Sequence, residues 1–331
     1  DPIPSLNEIV QKYKVSKITA RRVLNDLVMD GLVYASRGRG SFVRENPIRQ
    51  EKRPKENPHE QLGVVFEHGS GQFMNDIIMG IDEEAHERDV QINLCLSQNS
   101  YEREAENLER LSKQGVKKIL LFMVVKHDEK SLNENIPLYL RLMDQGVSIL
   151  LLARNLPNVQ IPSLTFDDYN TYRNLIKKLS GAGRKKLAFI ARNDNSSTTV
   201  ERLRGFKDGI LENNLPYHGH WLLRAKIESY DTVKSDSRFC LTRFLEKNEI
   251  PDGVVCSDEL VAAGVFEAMD ELDISLDKRP YVGGMGSRKN LHILNDHPYI
   301  LLEDNTHELG RRAASLILDN ELDQSANLAH T

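Results

Sequence analysis

From residue 62 onward, short apolar runs alternate with amphipathic helical stretches, and this alternation limits the fold more than any other feature. Gln61-Leu62-Gly63-Val64-Val65-Phe66 reads as an apolar strand, followed by a helical repeat through Ile77, Ile78, Ile81 and Ala85. Strand 91–96, helix 101–113, strand 118–125, helix 135–144 and strand 147–153 continue the series. It resumes with helix 169–180, strand 186–191, helix 199–213, strand 219–224, helix 233–247, strand 253–256, helix 258–270 and strand 280–283. Strands that are apolar along their length need cover on both faces, as parallel sheets have. The pattern predicts a doubly wound α/β fold, long enough for two parallel sheets.

The preceding residues are different. RENPIRQEKRPKENPHEQ, at 44–61, carries three prolines, many charges and one aliphatic residue, Ile48. It cannot bury enough apolar surface to fold and reads as a linker. The predicted organisation is a small domain over 1–44, a linker over 45–61 and a large domain over 62–331. Residues 1–61 hold 12 Lys and Arg against 8 Asp and Glu, whereas the remainder holds 32 against 41. A basic segment on an acidic body points to a polyanionic partner for the first part alone.

Composition excludes several classes. Hydrophobic residues at 40% and charged residues at 28% are the balance of a globular protein. The apolar run Ile149 to Ala153 is far short of a membrane span, as is every other in the sequence, so no membrane partner is expected. The opening Asp1-Pro2-Ile3-Pro4 has neither a secretory signal nor an initiator Met, which predicts a truncated N-terminus. Three widely spaced cysteines, Cys95, Cys240 and Cys256, predict no disulfide framework and no metal site, and suit the cytoplasm.

The first 44 residues read as two helices and a hairpin. Ser5 and Glu8 have capping-box spacing, and Leu6, Ile9, Val10 and Tyr13 give one apolar face. After the Lys14-Val15 turn, Ser16 can cap a second helix with Ala20, Val23, Leu24 and Leu27 inside, ended by Gly31. Strands 32–35 and 41–44 flank the turn Ser36-Arg37-Gly38-Arg39-Gly40. This is a winged helix-turn-helix, whose second helix enters the major groove of DNA. Lys17, Ile18, Arg21 and Arg22 lie on that helix's outer face, and Arg37 and Arg39 sit on the wing. A nucleotide-binding reading of Gly38-x-Gly40 fails, because a strand rather than a helix follows.

PSLNEI, VSKITARRVLNDLVMDGLV and GRGSFV resemble the DNA-binding domain of the gluconate-repressor (GntR) family over residues 2–44. The resemblance implies Ser16, Lys17, Thr19, Arg21, Arg37 and Gly38 at an operator DNA, and the outer helix face and the wing add Arg22 and Arg39. One departure is Asn7, where that family usually has Arg.

A second resemblance covers about 62–322. GIDEEAHERDVQINLCLSQ, QGVSILLLARNLP, VERLRGFKDGILENNL, SDELVAAGVFEAM and HELGRRAASLIL are similar to the effector domain of the lactose/galactose-repressor (LacI/GalR) family. It implies two periplasmic-binding-protein-like lobes that close on a small molecule at the carboxyl ends of the strands. By that likeness the effector site holds Ser70, Phe73, Arg154, Asp167, Arg202, Asp258 and Asp304, with Gln98 placed to contribute. Two departures stand out: Gly283-Gly284-Met285-Gly286 replaces an acidic stretch after the last strand of the pattern, and Ala153 replaces an aspartate. Trp221, in an apolar strand, reads as core.

No H-E-x-x-H, G-x-S-x-G or G-x-x-x-x-G-K-[ST] occurs, so no enzyme chemistry and no cofactor are expected. The pairing of the two domains resembles the arabinose-operon repressors of Gram-positive bacteria. It implies a homodimeric, sugar-released repressor. A solute-binding protein or a Rossmann-type enzyme is the alternative, and either leaves the winged helix unexplained.

Overall fold

The computed structural model describes residues 3–29, 33–36, 40–43, 60–69, 71–125, 134–194, 196–226, 232–295 and 297–322. Its contacts divide the chain into two units, Asp1–Glu60 and Gln61–Thr331.

In the first unit, helix α1 (Leu6–Tyr13) starts with the capping box: the Ser5 amide donates to the Glu8 carboxylate at 2.7 Å, and the Glu8 amide to Ser5 Oγ at 3.4 Å. Lys14 ends it in a left-handed conformation at φ 53°. Helix α2 (Lys17–Met29) follows, capped by Ser16, whose Oγ accepts from the Thr19 amide at 3.1 Å. Strands β1 (Val33–Ser36) and β2 (Gly40–Val43) pair antiparallel, and the Ile3 amide donates to the Ser41 carbonyl. Ala20 and Val33 are buried. Val23, expected inside, is 49% exposed. With Ala20 at the contact, the buried stripe follows i, i+4 and i+7 to Leu24 and Leu27, and Val23 falls on its edge. Gly31 and the wing residues Arg37, Gly38 and Arg39 lie outside the described residues.

The second unit holds two lobes, each a five-stranded parallel sheet. In the first lobe the strands are β3 (Gln61–Phe66), β4 (Gln91–Leu96), β5 (Lys118–Phe122), β6 (Ser148–Leu152) and β7 (Ser163–Leu164), ordered β4-β3-β5-β6-β7. In the second they are β8 (Leu187–Arg192), β9 (Leu222–Ala225), β10 (Gly253–Cys256), β11 (Tyr281–Gly286) and β12 (Tyr299–Glu303), ordered β9-β8-β10-β11-β12. Both orders repeat one doubly wound topology, whose switch point falls between its first and third strands.

Helices α3 (Gln72–Glu87), α4 (Tyr101–Lys113) and α5 (Ile136–Asp144) flank the first sheet, and α6 (Asp168–Gly181), α7 (Ser197–Glu212), α8 (Val233–Leu245) and α9 (Glu259–Glu271) the second. The last helix, α10 (Thr306–Leu318), returns to the first lobe and packs along α3. The two helices meet at glycines: a Cβ on Gly80 would sit 2.0 Å from the His307 carbonyl, and one on Gly310 would sit 2.1 Å from that of Ile77. Strand β3 shows why its sequence is apolar throughout. Val64 and Phe66 pack toward Ile77, Ile81 and Ala313, while Val65 faces Leu108, Leu111 and Tyr139. Successive side chains point to opposite faces, and both are covered.

Most strand boundaries agree with the alternation read from sequence. Strand 219–224 is shorter than expected: Gly219–Trp221 is a 3₁₀ turn, and β9 begins at Leu222. Trp221 is buried against Phe244, with ring centroids 5.9 Å apart. Cys95 and Cys256 are buried and Cys240 is partly so, and all three are free thiols.

Candidate functional site

On the first unit, α2 presents Ser16, Lys17, Thr19, Arg21 and Arg22 to solvent. Ser16 and Thr19 also cap the helix, their hydroxyls 2.8 Å apart. That arrangement leaves the N-terminal amides of α2, with their partial positive charge, beside Lys17.

In the second unit, a cavity of about 140 Å³ opens at the carboxyl ends of the strands of both sheets. A cavity of about 150 Å³ is known to hold a benzene-sized ring, so this one has the size for a single small ring. Phe73, Phe122 and Phe166 form its apolar wall, with edge-to-face contacts of 6.1 Å between Phe73 and Phe122 and 6.2 Å between Phe73 and Phe166. The polar side is built from matched charges. Arg154, at the exit of β6, grips Glu67 at the exit of β3 with two bonds of 2.6 and 2.9 Å, donates to the Met123 carbonyl and lies over the Phe122 ring at 4.3 Å. Burial favours the neutral form of Glu67, but the Arg154 charge and hydrogen bonds from His68 and Arg154 outweigh it and hold the carboxyl at about 2.

From the second lobe, Arg202 of α7 donates to Asp168 at 2.7 Å and to the Ser257 carbonyl at 2.6 Å. Asp258 caps α9, accepting from the amides of Leu260 and Val261, and its other oxygen accepts from Arg192 at 3.1 Å. Burial raises the Asp258 carboxyl, and Arg192 with the cap bonds brings it below the usual range. Asp194 accepts from the amide and hydroxyl of Ser196. Asp304, just past β12, is unlike the others: its Oδ1 is shut from solvent and has no hydrogen-bond partner among the described residues. Burial and the nearby Glu259 push its carboxyl up to about 7.

The lobes touch across the cleft. Asn155 donates its amide to Ser197 Oγ at 2.9 Å, Thr198 its hydroxyl to the Ala153 carbonyl at 3.0 Å, and Lys289 its ammonium to buried Asp76 at 2.6 Å. Ala153 is held left-handed at φ 55°, a conformation that costs a side chain of this type about 1 kcal/mol or more.

Of the expected effector residues, Phe73, Arg154, Arg202, Asp258 and Asp304 line this cavity. Asp167 does not: its carboxylate caps α6, accepting from the Asn170 amide at 3.1 Å, and the neighbouring Phe166 faces the cleft instead. Gln98 is exposed and accepts from Arg103. Ser70 lies outside the described residues. The sequence reading missed Glu67, Arg192, Asp194 and Glu259. The acid missing after β11 has a local replacement, because a Cβ on Gly286 would lie 2.8 Å from a Glu259 carboxylate oxygen. Only the small residue at 286 leaves room for that carboxylate. Among the described residues no cluster of three or more His, Cys, Asp or Glu is arranged to hold a metal ion.

Two parallel-sheet lobes joined around a polar cleft with an aromatic wall define a small-molecule sensor of the periplasmic-binding type. The chain belongs to the family of periplasmic binding proteins and sugar-binding domains of the LacI family, whose model matches residues 59–329. The model for the gntR family of bacterial regulatory proteins matches residues 1–43. The arabinose metabolism transcriptional repressor of Halalkalibacterium halodurans is 23% identical over 96% of this chain and 82% of its own. The transcription regulator CcpA of Lactococcus lactis superposes with a TM-score of 0.67 at 22% identity, covering 82% of this chain and 95% of that one. The myo-inositol binding protein of Caulobacter, solved with myo-inositol, gives a TM-score of 0.65 at 19% identity, over 82% and 92%. With a gntR-type segment ahead of a LacI-type domain, the chain is a DNA-binding transcription regulator.

Proposed function

We propose that the chain represses a sugar-utilisation operon and leaves its operator when a small polyhydroxylated effector enters the cleft. The observation that carries this reading is the cavity at the strand ends of both sheets, with one aromatic wall and one wall of carboxylates and guanidiniums. An aromatic face covers the apolar face of a sugar ring, and directional donors and acceptors fix its hydroxyls. The arabinose metabolism repressor among its relatives supports a sugar as the effector. Phe73, Arg154, Arg202, Asp258 and Asp304 hold it, joined by Glu67, Arg192 and Asp194.

Residues 1–44 bind duplex DNA through Lys17, Thr19, Arg21 and Arg22, with Arg37, Gly38 and Arg39 on the wing. Residues 45–61 link them to the sensor and dimerisation domain at 62–331. The edge strand β4 carries exposed Leu94 and Leu96, which supports a homodimer. The protein works in the cytoplasm and catalyses no reaction; its relatives are regulators, and no described helix is long and apolar enough to cross a membrane. Thermal unfolding of the full chain against a monosaccharide panel tests the sensor. At least one member is expected to raise Tm in a concentration-dependent way. No shift with any member, at millimolar concentration, overturns the reading.

A further inference from the structure

We infer that the effector carries no phosphate or carboxylate, and that it presents a hydrogen-bond donor, a hydroxyl or an amine, to Asp304. This rests on the sensor reading above and narrows it to a ligand class.

Two independent observations point there. First, the cleft's guanidiniums are already neutralised. Arg154 is held bidentately by Glu67, Arg192 by Asp258, and Arg202 by Asp168, which is buried. Beyond these pairs the described lining holds further carboxylates, Asp194, Glu259 and Asp304, so three arginines face six acids once Asp168 behind the wall is included. An anion entering this space must displace a buried carboxylate from its arginine or sit beside uncompensated negative charge. Either is costly in a cavity of low dielectric. The paired arginines still have N–H groups to offer a neutral hydroxyl, because Arg192 turns its Nε to Asp258, and Arg202 turns its Nε to Asp168 and one Nη to the Ser257 carbonyl.

Second, Asp304 Oδ1 is closed off from solvent without a donor among the described residues, at a position lining the cavity. A buried carboxylate oxygen left unsatisfied is expensive, and a donor from a bound ligand relieves it. Asp194 and Glu259 have local donors in Ser196 and Asn290, so Asp304 is the acid with capacity to spare. Its charged neighbours are Glu259 and Asp168, which disfavour its ionisation, and Arg202, which favours it. A ligand donor therefore meets an acceptor that no other described residue claims.

The test is calorimetry on the full chain at pH 7.5 with three arms. One holds neutral sugars (L-arabinose, D-ribose, D-galactose) and D-galactosamine, one D-arabinose 5-phosphate and D-glucose 6-phosphate, and one D-gluconate. The expected result is binding in the first arm, with phosphorylated and carboxylated sugars at least a hundredfold weaker. Asp304→Asn should weaken the best ligand of the first arm at least tenfold while circular dichroism and apo Tm stay within a few degrees. Asp304→Ala serves as a second variant and should show the same loss. Tighter binding of a phosphate or aldonate than of the neutral sugars overturns the inference while leaving the sensor reading intact. Undiminished affinity in both Asp304 variants overturns the role of Asp304. No binding in any arm overturns the sensor reading itself.

Discussion

The molecule uses arginine in two opposite ways. On α2 of the first unit, Arg21 and Arg22 stand exposed in water. In the cleft of the second unit, Arg154, Arg192 and Arg202 are each locked to a carboxylate. Exposed arginines cost little to maintain and keep their charge for a polyanion that brings phosphates to them. A buried arginine without a counter-charge is a large penalty, so the cleft spends its charge internally and retains only the directionality of the N–H groups. One surface is built for charge and the other for geometry, and substitutions should separate them.

The largest expected effect is at Arg202. Replacing it by Ala removes a cleft donor and also takes the Arg202 charge away from Asp168, which is 3% exposed. Stability should fall by about 3–5 kcal/mol, the range for breaking one side of a buried pair. The double variant Arg202→Leu with Asp168→Leu should recover much of that loss but none of the ligand binding. Chemical denaturation of Arg202→Leu, Asp168→Leu and the double variant measures it, and full additivity would break the coupling argument.

Arg21→Ala should do the reverse. Unfolding should not change measurably, but DNA affinity should drop by about 1–3 kcal/mol if the side chain reads a base. If it meets a phosphate, the salt slope of binding should flatten by about one. Titrations at several salt concentrations distinguish these, and identical curves would remove Arg21 from the interface.

Glu67 comes next. Its carboxyl titrates lower in the folded protein than in the unfolded chain, so the stability it contributes is present above the ordinary glutamate range. That contribution is lost as pH falls from about 4.5 toward about 2. Glu67→Gln should cost about 2 kcal/mol at pH 7, and the difference from the parent should shrink over that acid range. A difference independent of pH would mean that the Arg154 pair contributes shape and not charge. The smallest effect belongs to Ala153→Gly. Relief of the left-handed backbone should raise stability by less than about 1 kcal/mol, because glycine also loosens the unfolded chain. A fall in Tm would show that the Ala153 methyl packs more strongly than its backbone is strained.

The fold was legible because parallel strands covered on both faces leave long apolar runs, and the helices between them keep their period. β12 was not, since Tyr299–Glu303 is a short edge strand with none of its residues fully buried. In the cleft, family resemblance reached Arg154, Arg202 and Asp258 because each sits in a recognisable string. Glu67 lies in no such string, and only the fold shows its purpose, by bringing Arg154 from 87 positions away. Asp167 shows the converse. The family likeness implied a ligand contact for it, but an aspartate before a helix is equally a cap, and capping is the role the structure gives it. Val23 failed for a simpler reason: it lies at the edge of the stripe that runs from Ala20 through Leu24 and Leu27, and it is 49% exposed.

The central claim is that filling the cleft changes what the exposed arginines can hold. The proline- and charge-rich sequence of the linker is ill suited to transmit a rotation, so in the proposed homodimer the effector should act by shifting the spacing of two winged helices. The direct measurement is anisotropy titration of the full chain on a duplex selected by the chain itself from a random pool. Two-half-site and single-half-site versions are compared, with and without the sugar that stabilises the protein. The account predicts at least tenfold weakening on the two-half-site duplex and little change on the single site. Affinity on the two-half-site duplex that the sugar leaves unchanged would contradict it.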